Sequence, residues 1–364
     1  MRYIGPLVDI LRRSVTFRIF AMRIVILGAG GFLGGTVCEE IYQRNDIQQL
    51  ACIRKWASAV RLARRGIEIR RVDLEDMDSL SPLLAGVDAV VNTSMPPPSR
   101  EPELVTNIYH ACNQAGVRRF IQLSSAAVYG NRTGEVSESM SPAPLDDYGR
   151  GKVEMERRLL EAANRSTTQL CILRPSIIYG PFSSAWTVRY VERIVRGRWR
   201  TLGRIGEGTC NLVHARDVAR LVIAAATADT VPGPHVLNVN GPDVVSWNEY
   251  IECLGDALGV PDRVTPNAAL FCGTAIVAEI LRSGSTSKWV RALYRRSNGK
   301  AKSVMTGAQD VTLLYPPRGE LDLLARKVHY STERATQVLG LSPSISFAEG
   351  VRQSVKWCRI HGIV

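Results

Sequence analysis

An α/β fold built on an open, doubly wound parallel sheet is what this sequence predicts, and three observations predict it. Short apolar runs of strand length alternate with helical stretches of about ten residues through the first half. The first of these runs leads straight into a glycine cluster that opens a helix. The alternation ends after Pro175, where a smaller C-terminal lobe begins, interleaved with returns to the sheet. With 364 residues the chain can bury such a core and carry a lobe. Hydrophobic residues make up 45% and charged residues 22%, ordinary globular values that exclude a disordered, collagenous or coiled-coil chain.

The elements follow in order. Strands are expected over residues 23–27, 50–53, 67–72, 88–91, 118–123 and 170–173, each a bounded apolar run. Helices are expected between them over 32–43, 56–65, 79–84, 104–115 and 148–163. Right-handed crossovers then place helices on both faces of one parallel sheet. Beyond Pro175, helices are expected over 186–198, 217–226, 246–258 and 347–358, and strands over 211–214 and 236–239. Residues 260–330 read as irregular, with Pro316 and Pro317 as punctuation.

Charge narrows the partners. The net charge is +12, but residues 1–21 hold four Arg against one Asp, and residues 282–302 hold seven basic residues and no acid. The rest is close to neutral, which is not the footprint of a nucleic-acid-binding face. A small-molecule substrate is expected, and no nucleic acid. The eight cysteines are scattered without a Cys-x-x-Cys pair, as in a reducing compartment, and no metal site is expected. Arg12, Arg13 and Arg18 interrupt any apolar stretch at the start, so residues 1–21 read as an extension rather than a secretory signal. The apolar run 268–281 is too short to span a bilayer, and a cytoplasmic protein is expected. With the basic stretch after it, that run can form a membrane-surface contact through 268–302.

The chemistry begins at Gly28-Ala29-Gly30-Gly31-Phe32-Leu33-Gly34. Gly28, Gly31 and Gly34 suit a tight turn, close backbone approach to a pyrophosphate, and close helix–sheet packing. The helix beyond them offers free N–H groups to phosphates. This is the signature of a Rossmann dinucleotide site. At the end of the second strand an acid would hold the adenosine ribose and repel a 2′-phosphate. Arg54 and Lys55 stand there instead, so NADP is predicted over NAD. Asp73, closing the third strand, is placed to face the adenine, or else to cap a helix. Tyr148 and Lys152 are four apart, on one helix face. An ammonium near a phenol favours the phenolate, which acid–base chemistry at an alcohol or ketone requires. A Ser hydroxyl at the end of the fifth strand can bind the same oxygen.

With these elements in order, the chain resembles the extended short-chain dehydrogenase/reductase family, the NAD-dependent epimerase/dehydratase group. The likeness rests on the glycine turn, Asp73-Leu74, Ser124-Ser125-Ala126-Ala127-Val128-Tyr129-Gly130, and Tyr148-x-x-x-Lys152 with Glu156. It continues through Leu173-Arg174-Pro175, Tyr179-Gly180-Pro181 and Val213-His214-Ala215-Arg216-Asp217. The resemblance implies Ser125 as the catalytic serine, Tyr148 as the acid/base, and Lys152 as the group that binds the nicotinamide ribose and tunes Tyr148. It adds Phe32, Leu33, Leu74 and Pro175 to the cofactor-binding set. It also implies a homodimer through helices 104–115 and 148–163, and structural roles for His214, in its strand, and Asp217, as a helix cap. The domains it suggests are a dinucleotide-binding core (22–180, with returns at about 205–240) and a substrate lobe (181–204 and 241–364).

Departures keep two functions open. Ile177 and Cys210 stand where sugar-nucleotide enzymes of the family often place Asn and Arg, and Glu101 where an Asn is expected in the helix after the fourth strand. One reading is a nucleoside-diphosphate-sugar epimerase or reductase, with Arg189, Arg193, Arg196 and Arg200 available to a diphosphate. The other is an NADP-dependent dehydrogenase of a less polar alcohol or ketone, of hydroxysteroid or dihydroflavonol type. Ala126-Ala127 after Ser125 replaces the Asp-Glu pair of the dehydratases, so dehydration is the least expected sugar chemistry. A non-enzymatic member of the fold would be expected to lose Tyr148 or Lys152, and both are present.

Overall fold

The computed structural model describes residues 22–197, 199–228, 233–267, 271, 273, 316 and 318–364. The N-terminal extension, and the 268–302 segment apart from residues 271 and 273, lie outside the described residues. In chain order the elements are β1 (Met22–Leu27), α1 (Phe32–Tyr42), β2 (Ile47–Ile53), α2 (Val60–Ala63), β3 (Ile69–Arg71), α3 (Met77–Leu80), β4 (Ala89–Asn92), α4 (Glu101–Gln114), β5 (Arg119–Leu123), β6 (Gly134–Val136), α5 (Asp147–Ala163) and β7 (Gln169–Pro175). There follow β8 (Ile177–Tyr179), α6 (Arg189–Gly197), β9 (Leu212–His214), α7 (Ala215–Thr227), β10 (His235–Val239), α8 (Trp247–Leu258), α9 (Arg318–Ala325), β11 (Val328–Tyr330), α10 (Glu333–Leu339) and α11 (Phe347–Ile360).

Seven strands form one parallel sheet in the order β10-β7-β5-β4-β1-β2-β3. Its strands are apolar on both sides because both faces are covered. Ile24 and Ile26 of β1 point into the layer that holds Val37 of α1 and Val222 of α7. Val25 and Leu27 point the other way, into the layer with Val105 and Ile108 of α4 and Met155 and Leu159 of α5. The chain winds outward from β1 through β2 to β3, then returns to β4 on the other side of β1. That reversal opens a crevice at the carboxyl ends of β1 and β4, the place where ligands bind in such sheets.

The lobe has its own core, an aromatic cluster that includes Tyr179, Tyr190, Trp199, Trp247 and Tyr250. A capping box, Ser246 with Glu249, starts α8, and Gly259 in the left-handed region (φ 69°) ends it. The expected helix 56–65 is instead a single 3₁₀ turn (Trp56–Ser58) followed by the one-turn α2, with Leu62 as its buried anchor. The expected irregular segment contains α9 and β11. Among the described residues, no helix is long and apolar enough to cross a membrane.

Candidate active site

A cleft of about 540 Å³ lies in the crevice at the strand reversal, and the structure brings together along it each cofactor residue named from the sequence. Gly28 sits at φ 78°, where a Cβ would stand 2.7 Å from the Ser94 amide nitrogen and 2.8 Å from the Thr93 carbonyl carbon. A Cβ on Gly34 would overlap the Gly28 carbonyl oxygen and the Thr93 hydroxyl, so only glycine lets α1 start this close to β1 and β4. The N-cap of α1 is Gly31, which has no side chain to satisfy the first-turn amides, and Phe32 and Leu33 line the cleft there. These unsatisfied N–H groups at the positive end of the helix fit a dinucleotide pyrophosphate.

At the adenosine end, Arg54 and Lys55 are exposed at the mouth of the cleft just past β2. Among the described residues their side chains have no ion-pair partner, which leaves both charges open to a phosphate. Asp73 lines the cleft with Leu74, and its Oδ1 accepts from the Glu75 amide at 3.1 Å. It does not cap a helix; Asp76 does that for α3. Glu75 reaches across to Arg100, at 2.8 Å, at the start of α4.

At the other end, α5 begins with its N-cap Asp146 accepting from the Gly149 amide at 2.7 Å, and Tyr148 is half-buried in its first turn. Close packing fixes the helix: a Cβ on Gly151 would come within 2.8 Å of the Pro98 carbonyl oxygen. The Lys152 ammonium lies 5.7 Å from the Tyr148 ring centre. It donates to Glu101 Oε1 at 2.6 Å and to the Leu123 carbonyl at 3.1 Å, with Lys152 and Glu101 both buried.

The two serines after β5 have different duties. Ser124, which lines the cleft, donates to Glu156, whose carboxylate also takes the Arg174 guanidinium at 2.5 Å. Ser125 is half-buried and off the cleft lining; its Oγ accepts from the Ala127 amide at 3.1 Å. That contact uses the Ser125 oxygen as acceptor, so its O–H hydrogen stays available to a ligand oxygen. Tyr129 belongs to the scaffold: its phenol donates to Asn238 and accepts from Arg174, each at 2.7 Å, and burial pushes its pKa up.

The sequence reading gave several further residues of the site no part in it. Ile178 also lines the cleft, as do Met95, Pro96 and Pro97 on the segment after β4, where Met95 and Pro97 are exposed. Glu101 stood out as a departure, but its partner is 51 positions away and no local pattern joins them. Two of the four lobe arginines are already engaged with carboxylates. Arg193 is buried in an ion pair with Glu320, and Arg200 reaches Glu252 at 3.2 Å. The cap of α7 is the His214 side chain, which accepts from the Arg216 amide at 3.3 Å; Asp217 instead receives the amides of Ser344 and Ile345.

Comparison with known proteins agrees with this geometry. Residues 24–240 match the family model described as the NAD dependent epimerase/dehydratase family. The chain is 28% identical over 351 residues to 2-alkyl-3-oxoalkanoate reductase of Stenotrophomonas maltophilia, covering 91% of this chain and 98% of that one. It is 30% identical over 163 residues to UDP-glucose 4-epimerase of Vibrio cholerae, covering 44% of this chain and 49% of that one. Among solved structures, UDP-glucuronic acid 4-epimerase from Bacillus cereus shares the fold, with a TM-score of 0.71 and 19% identity over 93% of this chain and 100% of that one. The glycine cradle, the Tyr148–Lys152 pair and the family match lead to one assignment: the chain belongs to the NAD-dependent epimerase/dehydratase family of extended short-chain dehydrogenases/reductases, as an enzyme that works with a nicotinamide dinucleotide.

Proposed function

We propose that the enzyme transfers a hydride at a sugar carbon of a nucleoside-diphosphate sugar, as an epimerase or reductase, and prefers NADP. One observation carries the reading of hydride chemistry: Tyr148 and Lys152 line the same cleft as the Gly28–Gly34 cradle. The likeness to a UDP-glucose epimerase supports a sugar substrate. Arg54 and Lys55, which have no ion-pair partner among the described residues, support a 2′-phosphate. A nicotinamide held there supplies or takes the hydride. Tyr148 moves the proton at the reacting oxygen, Lys152 places its charge beside the phenol and holds a ribose hydroxyl, and Ser125 donates to the same oxygen. A second reading, reduction of a less polar ketone, is favoured by the likeness to an oxoalkanoate reductase over nearly the whole of both chains, and Met95, Pro96, Pro97 and Ile178 add apolar side chains to the cleft lining.

Releasing and weighing the nucleotide that the purified protein carries tests both parts. Tightly held NADP(H) supports an enzyme that recycles its own hydride, hence epimerisation. NAD(H) would overturn the roles given to Arg54 and Lys55. An empty protein favours net redox chemistry, and 3-oxo substrates should then be assayed before UDP-sugars. On the substrate so found, Tyr148→Phe should lower turnover by about 10²- to 10⁴-fold. An undiminished rate would remove Tyr148 from the chemistry.

A further inference from the structure

The Lys152 ammonium has three N–H donors. One goes to Glu101 and one to the Leu123 carbonyl, which leaves a third for the cleft that Lys152 lines. Glu101 is 1% exposed and Lys152 is 3% exposed, so each charge depends on the other for its place in the interior. Glu101 stands in the first turn of α4, where the helix favours a carboxylate, and it belongs to a different element from the residue it holds. The groups that face Lys152 are Glu101 from α4, Tyr148 from its own helix and the Leu123 carbonyl from β5. Glu156, one turn further along α5, is already committed to Arg174 and Ser124.

We propose that Glu101 is a positioning residue for hydride transfer: its carboxylate holds the Lys152 ammonium in place, so that its remaining N–H serves the cofactor ribose and its charge stands beside Tyr148. The proposal rests on the reading of Tyr148 and Lys152 given above. It separates this chain from one with a neutral amide at the same place. An amide would orient the lysine without balancing its charge, whereas Glu101 does both. Without the carboxylate, the buried ammonium loses both its counter-charge and its anchor.

The test uses the full-length protein and NADPH as probe, followed by nicotinamide fluorescence, with the pH–rate profile measured alongside. Glu101→Gln keeps the shape and removes the charge. It should weaken NADPH binding and lower turnover by about 10- to 100-fold, and change the pH–rate profile. Glu101→Asp keeps the charge one methylene short and should recover part of the turnover and part of the NADPH affinity. In a Lys152→Met background, Glu101→Gln should change NADPH affinity less than twofold, because the two residues act as one. Wild-type binding and profile in Glu101→Gln would overturn the proposal, as would equal losses in the Gln and Asp variants, or losses that add to those of Lys152→Met. If the wild-type protein binds neither NADPH nor NADH, it is the functional reading that fails, and with it this one. Should Glu101→Gln not fold, Glu101→Asp and the double variant decide alone.

Discussion

His214 shows how a side chain of the family pattern can serve the fold through its protonation state. Its ring is buried between Tyr179, edge-on at 5.4 Å, and the Gly180 backbone, while Nδ1 accepts from the Arg216 amide to cap α7. Burial, with the positive charges of Arg216 and Arg220 nearby, lowers its pKa to about 4. An imidazole in the unfolded chain titrates near 6.5. Between those values the unfolded state binds the extra proton, so stability is full above about pH 6.5 and is lost as pH falls toward 4. The loss is on the order of 3 kcal/mol. Urea midpoints measured between pH 7.5 and 4.5 should fall in the wild type and fall less in His214→Gln, which offers an uncharged acceptor. Identical slopes in the two proteins would mean that other groups carry the acid sensitivity.

At the scale of elements, the turn between β1 and α1 depends on glycine for packing as much as for ligand approach. A methyl at position 34 meets the Gly28 carbonyl, held by the Gly31 amide, and the Thr93 hydroxyl, held on the Leu27 carbonyl of β1, so α1 has to lift off β1 and β4. Gly34→Ala should therefore cost about 1–3 kcal/mol of stability and weaken dinucleotide binding at least about tenfold. Thermal melting with and without NADPH reads both losses together; an unshifted melt with full NADPH stabilisation would show that α1 tolerates the methyl. This turn was legible in the sequence because its information is local, as was the Tyr148–Lys152 spacing on one face of α5. Strands β1 and β5 likewise lie within one residue of their apolar runs. Whereas the three-residue β3 and β9 lie inside the expected runs 67–72 and 211–214, the equally short β6, β8 and β11 were not read. Their partners are set from afar, as when Gly134 pairs with Val328. The same reason hid the bond of Glu101 to Lys152 and the use of Asp217 by amides some 127 residues away.

For the whole molecule, the homodimer implied by the family has to be built from the surface that α4 and α5 offer. Their apolar residues are spent inward: Val105, Ile108, Met155 and Leu159 all sit in the core under the sheet. Outward, α4 presents Glu103, Asn107, His110 and Gln114, and α5 presents Arg157, Arg158 and Glu161. The α5 charges already pair along the helix, with Glu154 taking both Arg157 and Arg158 at 2.8 and 2.7 Å. Two such faces meeting about a two-fold axis would be held by polar contacts and exchanged ion pairs rather than by apolar burial. Exposed pairs of this kind are weak and screened by salt, whose reach at 0.1 M is about 10 Å. We expect light scattering to give a dimer at low ionic strength that shifts toward the monomer as salt approaches about 1 M, where screening acts within about 3 Å. Charge reversal at Arg157 should lower the salt needed. A dimer that survives molar salt places the interface on some other, more apolar surface, and a monomer at every salt concentration removes the α4–α5 pairing from this chain altogether.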